Sequence, residues 1–171
     1  MLISGLSGTG KTTIAQALEK RLFESGKTCI VLDGQSMRLG LCRDLGFTTE
    51  ERSENLRRAA EIARLLNDSG LICLAAFVAP HEDTRQRVKR LIGNDRVLHV
   101  HLIASPMALQ QREDFTKSEF ASSQVSRQRE FATNYEAPEA ADLVLDTEWV
   151  DITTCTDRIL DLILVRKLLN A

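Results

Sequence analysis

Eight residues near the start, "GLSGTGKT" at 5–12, set glycines, a lysine and a threonine in the pattern G-x-x-x-x-G-K-[ST]. An apolar run, "LIS", precedes them and a stretch of helical period follows, which is the context in which this pattern binds phosphate. Gly5, Gly8 and Gly10 let the backbone curl so that its N–H groups, those of Leu6, Ser7, Thr9 and Thr13 included, wrap phosphate oxygens. A helix opening near Lys11 adds the positive end of its dipole. Lys11 is expected to reach the β- and γ-phosphates of a nucleoside triphosphate, and the Thr12 hydroxyl to ligate Mg²⁺. The chain has no N-K-x-D segment for reading guanine, which favours ATP over GTP.

A second group lies about one strand later. Asp33 closes the apolar run "CIVLD", and in an open α/β sheet the carboxyl ends of strands face the ligand crevice. A carboxylate there either orients Mg²⁺ through water or takes the proton from an attacking hydroxyl. Arg38, Arg43, Arg52, Arg57 and Arg58 follow closely, with Arg52 and Asn55 on one helix face. Such charges form either a solvated face or, beside a phosphate loop, a guanidinium clamp for an anionic acceptor.

The elements that must position these residues are legible from periodicity. Short apolar runs bounded by Gly or Asp ("LIS", "CIVLD", "LICLAAF", "VLHVHLI", "DLVLD") alternate with helical stretches at 11–24, 48–68, 82–92, 106–112 and 152–169. This alternation predicts a parallel sheet with helices on both faces, the three-layer α/β/α architecture of P-loop nucleotide-binding proteins. Thr48 and Glu51 form a capping-box pattern, so a helix begins there and stops at Gly70, with Leu56, Ala59, Ala60, Ala63 and Leu66 inward and Arg52, Asn55 and Arg58 projecting elsewhere. Ser105 before Pro106 marks another helix start. Residues 113–134 are polar and weakly periodic, as a mobile lid over an active site would be.

Bulk properties narrow the class. The chain of 171 residues is long enough for one domain with a full core. A hydrophobic share of 43% and a charged share of 27% describe an ordinary globular protein. A net charge of -2 carries no footprint for nucleic acid. Cys29, Cys42, Cys73 and Cys155 have no C-x-x-C pairing, so they read as buried thiols rather than zinc ligands or disulfides. No run is apolar and long enough for a membrane span and no leader is evident, so the cytoplasm is the expected compartment. Four residues precede Gly5, a short first strand, which leaves open an origin in a longer fusion.

"GLSGTGKTTIA", "LDG", "RLGLCRDLGF", "EERSENLRRAAEIARLLNDSGLICLAAFVAP" and "NYEAPEAADLVLDT", in order over residues 1–147, together resemble the adenylylsulfate (APS) kinase family. The resemblance implies transfer of the ATP γ-phosphate to the 3′-hydroxyl of adenosine 5′-phosphosulfate, giving PAPS, usually in a homodimer, sometimes in fusion or association with ATP sulfurylase. It also implies that Asp33 is the catalytic acid position, that Arg38, Arg52 and Asn55 bind the phosphosulfate, that Phe47 stacks on adenine, and that Arg112 approaches ATP.

Departures accompany it. Gln35 and Ser36 stand where the family has an acid and an Asn; Cys42 replaces an Asn; and Ala79 replaces a Ser, so a phosphoenzyme at that position is excluded. The segment from Glu113 to Asn134 lacks the family's lid motif, although Phe115, Phe120 and Phe131 offer aromatic faces and Lys117, Arg127 and Arg129 offer charge. Beside an APS kinase, two alternatives stay open: a related kinase for another hydroxyl, and a nucleotide-sensing domain without turnover.

Overall fold

The alternation of apolar and helical segments becomes one parallel sheet. In the computed structural model, which describes residues 1–117 and 135–166, the strands are β1 (Leu2–Ser4), β2 (Cys29–Asp33), β3 (Ile72–Ala76), β4 (His99–Ile103) and β5 (Leu143–Asp146). They pair in the order β2-β3-β1-β4-β5, every pair parallel. The helices are α1 (Lys11–Glu24), α2 (Gly34–Leu39), α3 (Thr49–Asp68), α4 (Glu82–Ile92), α5 (Pro106–Lys117) and α6 (Ile152–Val165).

Both faces of the sheet are buried, which is why its strands read as continuous apolar runs. Ile14, Leu18 and Leu22 of α1 and Ile159 and Ile163 of α6 pack on one face with Ile3, Leu74, Val100 and Leu145. Leu56, Ala59 and Ala60 of α3 and Val88 of α4 pack on the other with Leu2 and Phe77. Neighbouring residues Leu2 and Ile3 enter opposite cores because side chains alternate along a strand. With β2 and β3 on one side of β1 and β4 and β5 on the other, the ligand crevice falls at the carboxyl ends beside β1.

Local chemistry sets the helix limits. Thr48 caps α3, its hydroxyl accepting from Glu51 N at 3.3 Å while the Glu51 carboxylate accepts from Thr48 N at 3.0 Å. Gly70, at φ +81, turns the chain just beyond its end. The Ser105 hydroxyl accepts from Ala108 N at 3.2 Å and so opens α5.

Two expectations change. α2 is a helix that periodicity did not reveal, because six residues are too few to show a repeat. α5 runs on to Lys117, so Glu113–Lys117, expected in the lid, are helical; Phe115 and Lys117 lie on it. Phe120, Arg127, Arg129 and Phe131 fall outside the described residues, as does the end of the helix expected at 152–169.

A polar seam runs beneath the crevice. Ser4 Oγ lies 2.7 Å from His99 Nε2 and 3.2 Å from His101 Nδ1, with all three residues buried. The Tyr135 ring stacks on His101 at 5.7 Å between centroids. Burial, reinforced by Arg85 near both rings and Lys89 near His99, pushes each imidazole down to about 4. A depressed histidine binds its proton first in the unfolded chain, so the stability it supports is complete above the unfolded value and lost as pH falls toward the folded one. The urea midpoint should therefore decline between about pH 6.5 and 5, above the carboxylate range, and His99→Gln should flatten that decline. A midpoint constant over that interval would contradict the placement of these rings.

Candidate functional site

The phosphate loop is built by close approach. Gly5 has φ +146, and a Cβ on it would lie 2.4 Å from the Leu102 carbonyl oxygen, so no side chain fits where β1 leaves the sheet against β4. Gly10 takes the N-cap position of α1 at φ 84 without any side-chain cap, which leaves the first amides of the helix open to an anion. The Leu6 carbonyl accepts from the Thr9 hydroxyl at 2.9 Å and from Lys11 Nζ at 2.6 Å, closing the loop upon itself. Ser7 is half-buried and Thr13 exposed. Burial lowers the Lys11 ammonium to about 8, opposed by Asp33 and aided by Arg52, so these three side chains share one electrostatic neighbourhood.

Asp33 ties this loop to the second group. Its Oδ1 accepts from Gln35 N at 2.9 Å and Ser36 N at 3.1 Å, capping α2, while Oδ2 accepts from the Thr12 hydroxyl at 2.6 Å. The Gln35 and Ser36 side chains are exposed, so their backbone amides are what Asp33 holds. Because Thr12 donates its proton to Asp33, its oxygen lone pairs remain for a cation. Among the described residues no group of three or more His, Cys, Asp and Glu is placed to hold a metal. That donor set fits Mg²⁺, which is carried mainly by phosphate oxygens and water with few protein ligands.

Beyond Asp33, Arg38 donates through Nε to Gly46 O at 2.8 Å and through Nη1 to Gly34 O at 2.7 Å. Arg52 donates through Nε to Phe47 O at 2.9 Å. The two guanidinium carbons lie 4.6 and 5.4 Å from the Phe47 ring centroid. Asn55 donates to Gly34 O at 2.9 Å, and its Oδ1 has no partner among the described residues. Expected to project away from the apolar face, Asn55 is instead buried, because α2 and its flanking backbone cover that side of α3.

The five arginines do not act together. Arg38 and Arg52 gather at Phe47, whereas Arg57 pairs with Glu54 and Glu61, Arg58 with Asp44 and Glu54, and Arg43 is exposed. Carboxylates within reach on α3 draw Arg57 and Arg58 out of the expected clamp.

Arg112 donates to Gly8 O at 3.1 Å and to Thr147 Oγ1 and O at 3.0 and 2.6 Å, bracing the phosphate loop against the segment after β5. Thr147, Arg85, His101 and Tyr135 escaped the sequence reading. Arg85 looks like any charged helix residue, yet it is fully buried. Only the apolar neighbours of His101 in "VLHVHLI" hinted at its burial.

A model of the family described as adenylylsulphate kinase matches residues 1–146. A bifunctional enzyme CysN/CysC of Rhodopirellula baltica is 43% identical over 166 residues, 95% of this chain; the chain spans only 25% of that relative's length. An adenylyl-sulfate kinase of Klebsiella pneumoniae is 42% identical over 163 residues, 94% of this chain and 80% of its own. Among solved structures, the Mycobacterium tuberculosis APS kinase CysC in complex with AMPPNP and APS superposes with a TM-score of 0.82 at 28% identity, covering 95% of each chain.

The lowered Lys11 value has a measurable consequence. A triphosphate in the loop favours the charged ammonium, so binding near pH 9 should draw in about 0.9 proton, and binding near pH 7.5 only about a quarter of one. Calorimetry in two buffers of different ionisation enthalpy reads this directly. Buffer-independent heats at the higher pH, or uptake that persists in Lys11→Met, would contradict the assignment.

Proposed function

The chain belongs to the adenylylsulphate kinase family, and on that premise we propose that it transfers the γ-phosphate of ATP to the 3′-hydroxyl of adenosine 5′-phosphosulfate (APS), yielding PAPS and ADP. The observation that carries this reading is the 2.6 Å bond from Thr12 to Asp33. It joins the first turn of α1, after the glycine-rich loop, to a carboxylate, and close by Arg38 donates to Gly34 O and gathers with Arg52 at Phe47. The structural relative that holds a nucleotide analogue and APS together supports the pairing of these two ligands.

Each residue has a part in the mechanism. The amides of Leu6, Ser7, Gly8, Gly10 and Thr13 and the Lys11 ammonium hold the β- and γ-phosphates and stabilise charge as it shifts during transfer, while the Gly5 and Thr9 amides donate to Val78 O and Leu6 O and so shape the loop. The Thr12 hydroxyl would ligate Mg²⁺, which when bound would neutralise phosphate charge. Asp33, its oxygens fixed by three donors, accepts the hydrogen of the acceptor hydroxyl and aligns it for in-line attack. Arg38 and Arg52, each oriented by a backbone carbonyl, supply positive charge to the phosphosulfate with Asn55 beside them. The Phe47 ring offers a face for the acceptor's adenine, a contact worth about 1–3 kcal/mol in stacked bases. Arg112 steadies the loop from the nucleotide side. Transfer is direct, since Ala79 has no hydroxyl to carry the phosphate.

Residues 1–171 act in this reading as one kinase domain, cytoplasmic and homodimeric; no helix among the described residues is long and apolar enough to cross a membrane. The bifunctional relative supports fusion or association with ATP sulfurylase.

Transfer of labelled γ-phosphate from Mg·ATP to APS, with the product identified as PAPS, tests the proposal. Lys11→Ala should abolish transfer. Arg52→Ala should raise the acceptor KM by about tenfold or more while changing kcat and the ATP KM little, as expected for loss of a charge-assisted contact. Retained ATP binding without transfer to APS would overturn the acceptor assignment.

A further inference from the structure

The segment after β3, residues 77–81, occupies the ground between the phosphate loop and Asp33. β3 lies between β1 and β2 in the sheet, so its exit emerges between theirs. Gly5 N donates to Val78 O at 3.5 Å on one side. On the other, the Phe77 ring packs so closely on Gly34 that a Cβ there would meet it at 3.2 Å. Any shift of this segment moves both halves of the site.

Within it, Ala79 has φ 47, the one described non-glycine residue with positive φ. It is buried and precedes Pro80, and a residue before proline favours extended backbone, so its left-handed conformation is doubly disfavoured. Something must hold it there. Arg85, whose side chain is fully buried, donates through Nη1 to Ala79 O at 2.7 Å. Its Nε and Nη2 donate to the Glu82 carboxylate at 2.9 and 2.6 Å. The Tyr135 ring covers the guanidinium at 5.9 Å. The next residue completes the enclosure: Glu136 N donates to Pro80 O at 2.9 Å, and the Glu136 carboxylate accepts from Glu82 N at 2.7 Å.

We propose that Arg85 is a positioning residue for phosphoryl transfer: held by Glu82 and Tyr135, it fixes Ala79 in its left-handed conformation and so sets the spacing between the phosphate loop and Asp33. Arg85 touches neither substrate in this account. It acts through the backbone at Ala79, and the inference rests on the kinase reading given above.

Glycine adopts positive φ without the Cβ penalty, so Ala79→Gly lessens the need for the clamp. The experiment compares wild type, Arg85→Lys and Arg85→Lys/Ala79→Gly in transfer to APS, together with thermal melts and amide exchange of the peptide containing residues 77–81. Arg85→Lys should lower kcat by about tenfold, with the ATP KM within about twofold, and speed exchange in that peptide. The added Ala79→Gly should recover most of kcat without recovering the melting temperature. Where Arg85→Lys does not fold, Tyr135→Leu, which uncovers the guanidinium and leaves its hydrogen-bond partners in place, should show the same pattern at smaller size, again recovered by glycine. An unchanged kcat, or a loss that glycine does not recover, overturns the proposal. If the wild type transfers nothing to APS, the kinase reading fails separately; exchange at 77–81 then decides the clamp, acceleration in Arg85→Lys upholding it and no change overturning it.

Discussion

The carboxylate of Asp33 is the constraint on which the rest of the site depends. Its three donors come from two elements: the first turn of α2, through Gln35 and Ser36, and the first turn of α1, through Thr12. β1, which leads to α1, and β2, which ends in Asp33, are not neighbours; β3 runs between them. The Thr12–Asp33 bond therefore spans the exit of an intervening strand, and the path of that strand becomes part of the site's geometry. The tight contact of Gly34 with Phe77 is what this closeness demands of the backbone.

Charge is sorted by the company it keeps. Lys11 and Arg38 feel the Asp33 charge, with Arg52 beside them, and burial lowers the basicity of all three, with Arg52 lowering Lys11 and Arg38 lowering Arg52. A cluster of cations that depress one another is suited to receive anions, because an anion relieves both burial and repulsion. Arg57 and Arg58, one turn further along α3, lie in the opposite situation: hydrogen bonds donated to Glu54 raise Arg57, and those donated to Asp44 and Glu54 raise Arg58. Five arginines that look equivalent in sequence thus divide into a receptive pair, a neutralised pair and the exposed Arg43.

Sequence revealed what local rules enforce. The spacing of Gly5, Gly10, Lys11 and Thr12 is dictated by a single loop, and the caps at Thr48 and Ser105 by single turns, so each could be read without a partner in view. The register of apolar runs gave the layers because both sheet faces are buried. What stayed hidden depends on distant contacts. Asn55 looks solvent-facing until α2 closes over it, and α2 itself is too short to announce a period. The left-handed backbone at Ala79 and the burial of Arg85 are invisible because alanine and arginine are not the residues such positions usually carry.

The most direct measurement of the central claim is kcat for transfer to APS at saturating substrates in Asp33→Asn, which keeps the cap acceptor but removes the carboxylate charge. If Asp33 joins the phosphate cradle to the acceptor hydroxyl, kcat should fall by about 10² to 10⁴ while ATP affinity holds. A kcat within about threefold of wild type would show that the chemistry does not pass through this carboxylate.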